Sequence, residues 1–479
     1  MLLGSFWAEA QDFQTGYFLG GYQYAYRMNP AFQSERGFFS LGLGNSGLAT
    51  NSDMGFSDFF YSKNGKTMLF LNDKVTSEEF LGNINKDGNN LNLGLNLNVL
   101  AMGFWSGNNF MTIDVNLKSN NSIMLPYDLF RFLKDGASGS STTFDLGGTG
   151  LKSKSYGEIA VGFSRNINNF INFGVRVKGL VGLLEADIQY QSLQMTLNRD
   201  KWNIKGQGQA FISQPMVQVT NDASGYWDYD NIRKWFNVQN IGIAGFGGAL
   251  DAGVSVNILP WITASASILD LGGIRWNREN SGKTDEAGYT WDPRSGEAID
   301  VMGGSGSSSG MDDELDQIKD AFKHIYQLKN AGAGEPVFEM LPFRVNLGLE
   351  VRLPVYQRLS LGALYSLRNG EGFDLQEGRI SLNWTPLDFI SLSGSTTINN
   401  MFKSYGAALN LHPGLLNLIV GVDMIPAKVV NISPLLSGVP DAAKSFLKIP
   451  TGDLNMNGFI GLSLAFGRAK VDYRRRTRD

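Results

Sequence analysis

Residues 91–99 alternate strictly between large apolar residues and small or polar ones. The odd positions are Leu91, Leu93, Leu95, Leu97 and Val99. Asparagine or glycine stands at every even position between them. Successive side chains of a β-strand point to opposite faces, so this segment predicts a strand with one apolar face and one polar face. A soluble sheet can show the same alternation, and this segment alone does not decide the class of protein.

The same two-residue period returns along the whole chain. It is clearest in residues 157–163, 173–178, 262–268, 343–352, 379–384 and 460–466. Recurrence of this kind is typical of transmembrane barrels, in which apolar side chains face lipid and polar side chains face the lumen. We therefore predict an all-β fold, a transmembrane antiparallel β-barrel in the outer membrane of a bacterial cell.

Short and long connections between the predicted strands indicate the topology. Proline and asparagine suit tight turns, and barrels of this class keep short turns on the periplasmic side. Short turns are predicted at 165–169, 259–261, 353–357, 384–388 and 412–414. The long connections, which are then extracellular, are about 53–88, 123–154, 215–240, 276–341 and 426–455.

Fourteen strands are predicted in this way, and an even number is expected when both ends of the barrel lie in the periplasm. They lie near residues 36–50, 90–104, 109–122, 155–165, 170–185, 241–257, 262–275, 343–352, 358–368, 376–384, 389–399, 404–411, 415–424 and 456–467. Residues 186–214 also have β character. If they form a hairpin above the membrane the barrel has fourteen strands, and if they lie in the wall it has sixteen.

Composition excludes several kinds of chemistry. The chain of 479 residues has no cysteine, which rules out disulfides, thiolate metal sites and cysteine nucleophiles. Its two histidines, His324 and His412, provide no histidine metal cluster, and a net charge of −4 gives no basic footprint for nucleic acid. We therefore expect no catalytic site, no metal site, no cofactor and no nucleic-acid partner.

Both ends of the chain carry processing or charge signals. Ala8, Glu9 and Ala10 fit the small-x-small cleavage pattern of a signal peptide, so residues 1–10 are predicted to be the remnant of one. No apolar run approaches the roughly 18–20 residues of a transmembrane helix. The barrel itself is predicted over 36–467, and residues 468–479 are predicted to form a short basic tail in the periplasm.

Two of the long outer loops have apolar residues at helical spacing. One predicted helix covers 311–329 and a shorter one covers 127–134. These helices are expected to cap the mouth of the barrel or to offer an apolar docking groove. The apolar candidates are Leu315, Ile318 and Phe322 in the first helix and Phe130 and Phe132 in the second.

Charged residues also fall on the predicted lumen face. The candidates are Arg176, Lys178, Arg344, Glu350, Arg352 and Arg379. Two interpretations are open for them. They bind the anionic head group of a ligand, such as a carboxylate, through charge-assisted hydrogen bonds, or they pair with one another and with the N-terminal segment inside a wet lumen.

Residues 22–32, directly before the first predicted strand, carry a family resemblance. They contain Asn29, Pro30 and Ala31, and the segments 38–44 and 55–59 follow at characteristic spacing. An Asn-Pro-Ala motif at this place resembles the FadL-type outer-membrane transporters and the related PorV-type barrels of type IX secretion. The full spacing more closely resembles an uncharacterised FadL-like branch, a domain of unknown function.

The resemblance implies an architecture and two alternative functions. Residues 11–35 would form a hatch that blocks the lumen, with Asn29, Pro30, Ala31 and Phe32 at its turn, and a hydrophobic ligand would leave sideways through a kink in the wall. The first function is passage or uptake of small hydrophobic molecules across the outer membrane. The alternative is a non-transporting barrel that serves as scaffold or shuttle for a protein partner in a secretion or envelope complex. Besides such a ligand or partner, only membrane lipid is expected to contact the barrel, and no enzyme activity is expected.

Overall fold

The wall of the molecule is one closed antiparallel β-barrel of fourteen strands, as predicted. It is described in a computed structural model that covers residues 13–63, 66–136, 141–168, 170–198, 202–285, 288–291, 325–370, 373–399, 403–423, 429–431, 448–450 and 456–467. The predicted signal-peptide remnant and the basic tail at 468–479 lie outside the described residues.

The wall has fourteen strand positions around its circumference. Thirteen of them are each filled by a single strand, and the first is filled by two short strands, one after the other. In chain order they are β1 (Gly37–Leu41) with β2 (Ser46–Ser52), β5 (Asn89–Ser106), β6 (Asn109–Leu125), β8 (Gly150–Asn166), β9 (Ile171–Asn198), β11 (Gly245–Leu259), β12 (Ile262–Trp276), β17 (Arg344–Leu353), β18 (Tyr356–Gly370), β19 (Phe373–Leu387), β20 (Ile390–Asn399), β21 (Lys403–Leu411), β22 (Leu416–Asp423) and β25 (Met456–Phe466). The barrel closes because β1 and β2 each pair with β25 on one side and with β5 on the other.

The remaining strands and helices lie outside the wall. The strands are β3 (Phe60–Lys63), β4 (Lys66–Leu69), β7 (Ser141–Asp145), β10 (Trp202–Ser213), β13 (Asn280–Lys283), β14 (Tyr289–Trp291), β15 (Lys329–Gly332), β16 (Val337–Met340), β23 (Val429–Asn431) and β24 (Lys448–Pro450). The helices are α1 (Phe56–Phe59), α2 (Ser77–Leu81) and α3 (Tyr127–Asp135), with 3₁₀ turns at Gln14–Gly16, Ala25–Arg27, Tyr229–Trp235 and Val238–Asn240. No helix of the described residues is long and apolar enough to cross a membrane.

The segment 186–214 extends beyond the wall. The lower part of β9 pairs with β11 in the wall, whereas its upper part pairs with β10, and β10 pairs in turn with β13 and β14. The predicted hairpin above the membrane is therefore confirmed, and the alternative of sixteen wall strands is wrong. Strand β9 continues through both regions without a break, so its sequence gives no sign of where the membrane ends.

The two faces of the wall follow the predicted alternation. On β5, the odd-numbered Leu93 and Leu95 are exposed on the outer face, while Asn92 and Asn96 are buried on the lumen face. Short turns lie at the same end of the wall as the start of β1 and the end of β25, because Gly37 pairs with Phe466 and Arg36 donates to the carbonyl oxygen of Gly414. Besides the predicted turns, one made by Gly107 and Asn108 joins β5 to β6.

Above the wall the loops pack into an apolar cap. Helix α3 confirms the helix predicted over 127–134, and its Phe130 and Phe132 are buried in the cap together with residues from β7, β9 and β10. Of the helix predicted over 311–329, residues 311–324, with Leu315, Ile318 and Phe322, lie outside the described residues. Its predicted end is wrong, because Lys329 begins strand β15 and pairs with Lys283 of β13.

Candidate functional site

Residues 13–36 lie inside the barrel and are here called the plug. The plug overlaps the predicted hatch at 11–35 and contains only two 3₁₀ turns, so its shape depends on side-chain packing. Its aromatic residues are almost wholly buried, and ring contacts join Tyr17 to Phe32 at 5.0 Å and Tyr24 to Phe38 of the wall at 5.5 Å. Burial of large aromatic side chains is a strong contribution to holding such a segment in place.

The Asn-Pro-Ala motif fixes the plug against two wall strands. Asn29 is fully buried, and its Nδ2 donates to the carbonyl oxygens of Val254 on β11, at 3.3 Å, and Ala266 on β12, at 3.2 Å. Its Oδ1 accepts from the backbone N–H of Ala31 at 3.0 Å, and its own carbonyl oxygen accepts from Phe32 at 2.9 Å. One asparagine therefore both closes the turn and ties it to the wall.

Glycines on the lumen face make room for this contact. A Cβ added at Gly174 of β9 would lie 2.0 Å from the carbonyl oxygen of Pro30, and one at Gly253 of β11 would lie 2.1 Å from Oδ1 of Asn29. Glycine inside a strand often marks a close approach of another backbone. These two glycines form a seat for the Asn-Pro-Ala turn, which the sequence analysis did not predict. The sequence signal that could have shown it is a glycine at a position where the alternation predicts a side chain in the lumen. Further lumen glycines against the plug are Gly348, Gly362, Gly406 and Gly421.

A second anchor holds the start of the plug. The carboxylate of Asp423 accepts from the backbone N–H groups of Gln14, at 2.9 Å, and Thr15, at 3.1 Å. Arg379 donates to the same carboxylate at 2.7 Å and pairs with Glu377 at 2.7 Å. Arg379 was a sequence candidate, whereas Asp423 and Glu377 were missed. Asp423 is 44 residues from Arg379 in the chain, but Glu377 is only two residues away on the same strand face, so that pair could have been found from the sequence.

The largest charged cluster lies across the lumen from this anchor. Arg176 bridges two buried carboxylates, with nitrogen–oxygen distances of 3.0 Å to Asp114 and 3.0 Å to Asp251. Lys178 contacts Asp251 at 2.7 Å and Asp270 at 2.5 Å. The two predicted lumen cations thus pair with carboxylates on the adjacent strand β11 and on β6 and β12, one strand further away on either side, which favours the interpretation of mutual pairing over an anionic ligand.

The plug joins this cluster through two residues. The hydroxyl of Tyr26 donates to Asp114 at 2.6 Å. Arg27 donates to Oδ1 of Asn116 at 3.0 Å, and Asn116 donates in turn to Glu158 at 3.0 Å. Buried networks of this kind are stable only when their members are satisfied together, so the position of the plug is coupled to the charges of the wall.

The other lumen candidates lie apart from this cluster. Arg352 pairs with Glu350 at 3.1 Å, and both line a polar cavity of about 260 Å³ at the turn end of the barrel, beneath the plug. Arg344 is buried on β17 directly opposite Arg368 of β18. The structure therefore divides the six predicted residues into separate groups rather than one binding site.

The first wall strand was predicted to be continuous over 36–50, and this is wrong. It breaks at residues 42–45 because Gly42 adopts a left-handed φ of +80°, and the side chain of Asn98 occupies the space beside Gly44. Arg27 of the plug donates to the carbonyl oxygen of Asn45 at 3.1 Å, and on the outer face Leu43 is exposed. The plug therefore touches the one wall position that two strands share.

Above the wall, an acidic cluster already contains a cation. Glu185, Asp187 and Glu339 come close enough to suggest a metal site, but the guanidinium of Arg278 lies 3.2 Å, 3.7 Å and 3.5 Å from their oxygens. Arg278 supplies one positive charge to the three carboxylates, and Lys154 pairs with Glu339 as well, so the cluster already has cationic partners from the protein. In the cap beyond it, burial raises the pKa of the Tyr326 hydroxyl above its usual value, which keeps this group a neutral hydrogen-bonding partner.

An apolar outer face, a polar lumen and complete closure define a bacterial outer-membrane β-barrel. The model of a family of unknown function, DUF5723, matches residues 30–423, and the chain belongs to this family. The predicted relationship to an uncharacterised family is thereby confirmed. Among curated proteins none matches the chain.

Solved FadL-type barrels are similar to this chain at low identity. The toluene transporter TbuX of Ralstonia pickettii is 9% identical, with 92% of this chain and 94% of that chain covered and a TM-score of 0.45. The toluene transporter TodX of P. putida is 8% identical, with 93% and 94% covered and a TM-score of 0.43. A FadL homologue of Pseudomonas aeruginosa is 12% identical, with 96% and 98% covered and a TM-score of 0.39.

Proposed function

We propose that this barrel takes up small hydrophobic molecules and releases them sideways into the membrane at the break in its first strand. The observation that carries the proposal is the pair of hydrogen bonds from Arg27, one to Asn45 in the break and one to Asn116 in the wall. Through them a movement of the plug acts directly on the break. Polar and charged residues line the lumen, whereas the outer side of the break is apolar, so the membrane is the favourable destination for a hydrophobic ligand.

The break is also the place where opening costs few hydrogen bonds. Between β1 and β2, the N–H of Gly42 donates to Val99 at 2.8 Å and the carbonyl oxygen of Leu43 accepts from Leu462 at 2.7 Å. The backbone N–H of Asn98 on β5 also donates to the hydroxyl of Ser46 at the start of β2, at 3.0 Å. Most other neighbouring strands of the described wall are joined by longer ladders, such as the one between β5 and β6, whose separation would leave many backbone groups unpaired in lipid.

A reversible cross-link across the break tests the proposal. The chain has no cysteine, and an ideal Cβ at Gly44 lies 2.9 Å from Cβ of Asn98, slightly below the roughly 3.5–4.5 Å of disulfides. In vesicles that contain G44C/N98C, oxidation is expected to reduce uptake of the probe N-phenyl-1-naphthylamine to the rate of protein-free vesicles, and reduction is expected to restore it.

The control cross-link joins two strands that already pair continuously. The hydroxyls of Ser119 on β6 and Ser155 on β8 lie 2.8 Å apart, so S119C/S155C should form a disulfide without affecting uptake. If oxidised G44C/N98C takes up the probe as fast as its reduced form, release through the break is refuted.

The scaffold or shuttle function is the second candidate, and the dense packing of the cap favours it. Phe130 and Phe132 have almost no exposed surface, so neither offers a free apolar groove for a ligand in this conformation. A protein partner would then dock on the outer loops. We expect a variant with residues 292–324 replaced by a short Gly-Ser linker to lose a partner that co-purifies with the full chain at fixed stoichiometry. Unchanged recovery of that partner would count against docking on this loop.

A further inference from the structure

We propose that an outward-facing patch at the extracellular rim of the wall binds the phosphate groups of outer-leaflet lipid. Its centre is Arg275, the second-last residue of β12, whose side chain is exposed. Arg275 lies directly opposite Phe246 of β11 on one side and Phe338 of β16 on the other. Directly opposed residues of paired strands share a face, so the arginine is framed by two outward aromatic side chains.

Arg275 differs from Arg176 and Arg379 of the lumen in having no acidic partner among the described residues. Phe246 and Phe338 beside it are 62% and 61% exposed. An outward arginine is tolerated in a barrel wall only near the membrane surface, and aromatic girdles mark that level. The place of Arg275 at the extracellular end of β12 therefore sets it at the head-group region of the outer leaflet.

The chain that leads into β11 continues this surface. Val238 is 70% exposed and Ile241 is 71% exposed, and Arg233 and Lys234 are exposed in the 3₁₀ turn just before them. Exposed apolar residues next to basic ones are typical of segments that lie in the membrane interface. There the apolar side chains enter the acyl region while the cations meet anionic head groups.

Lipid is the occupant that the position of the patch favours over a protein. Phe246 and Leu250 lie on the same outer face of β11, so the patch is continuous with the lipid-facing wall. Phosphate is the chemistry that arginine matches best, because the planar guanidinium donates two parallel hydrogen bonds to its oxygens. The inference concerns the outer wall and does not depend on the proposed uptake function.

Lipid binding to the purified full chain tests the patch. In native mass spectrometry from detergent, the unmodified chain is expected to retain one molecule of added phosphorylated lipid A, and R275Q is expected to lose it. Dephosphorylated lipid A is expected to be released from the unmodified chain and from R275Q alike. The matched control is K205Q, which removes an exposed cation on β10, away from the wall. Retention by R275Q equal to that of the unmodified chain would refute the site. If inorganic phosphate at equal concentration displaced the bound lipid A, the site would recognise free phosphate, and lipid as its occupant would be refuted.

A second measurement reports insertion of the segment before β11. Since the chain lacks cysteine, single spin labels can be placed at V238C, at L250C in the lipid-facing wall and at S224C in an exposed loop. In vesicles of phosphatidylethanolamine and phosphatidylglycerol with lipid A, the label at V238C is expected to be accessible to oxygen like that at L250C. Accessibility to a water-soluble nickel chelate like that of S224C would refute insertion.

Discussion

Arg176→Met is expected to lower the free energy of unfolding by about 3–5 kcal/mol, because removing one partner of a buried ion pair leaves an uncompensated charge. Arg176 is buried between Asp114 and Asp251, at 3.0 Å from each. Methionine has a similar length but supplies no donor. The measurement is equilibrium unfolding in urea of the purified barrel in lipid vesicles, followed by tryptophan fluorescence.

Two controls separate the charge effect from loss of packing. Arg358 forms an exposed pair with Asp388, and Arg358→Met should change stability by less than about 1 kcal/mol. The double variant Asp114→Asn with Arg176→Met removes one charge of each sign and leaves Asp251 paired with Lys178, so it should be more stable than Arg176→Met alone. A loss for Arg176→Met no larger than that for Arg358→Met would contradict the argument.

Gly174→Ala is expected to force the plug from its seat and to destabilise the barrel by about 1–3 kcal/mol, the usual cost of overpacking. The added Cβ would lie 2.0 Å from the backbone oxygen of Pro30, and a backbone atom cannot move aside as a flexible side chain can. Displacement of the plug is measured directly by trypsin. Arg27 is buried in the folded chain, so cleavage after Arg27 reports that the plug has left the lumen.

The matched control for this variant lies on the same strand. A Cβ added at Gly179 of β9 would meet its nearest neighbour, the carbonyl oxygen of Ile159, at 3.9 Å, which is ordinary contact. Gly179→Ala should therefore leave both stability and the resistance of Arg27 to trypsin unchanged. If Gly174→Ala behaves in the same way, Gly174 is not part of the seat.

The strands and their faces were predictable because alternation is a local property. Burial on one face and lipid on the other act on every second residue, so Leu93 and Asn92 reveal their faces without any knowledge of their neighbours. Five of the six short turns were predicted from local proline and asparagine residues, whereas the turn at Gly107 and Asn108 was not. The Asn-Pro-Ala motif was likewise visible in the sequence, although its carbonyl partners on β11 and β12 were not.

The tertiary structure alone decided which distant groups meet. Arg176 was a candidate from its place on a lumen face, but its partners Asp114 and Asp251 come from strands that are distant in the chain, and periodicity contains no information about them. The break at 42–45 begins at the left-handed Gly42, but its contacts with Asn98 and with Arg27 of the plug are formed only in the assembled barrel. A two-residue period determines which way a side chain points. The closure of the barrel around its plug determines what that side chain meets, because charge pairing and close backbone contact are properties of the assembled lumen.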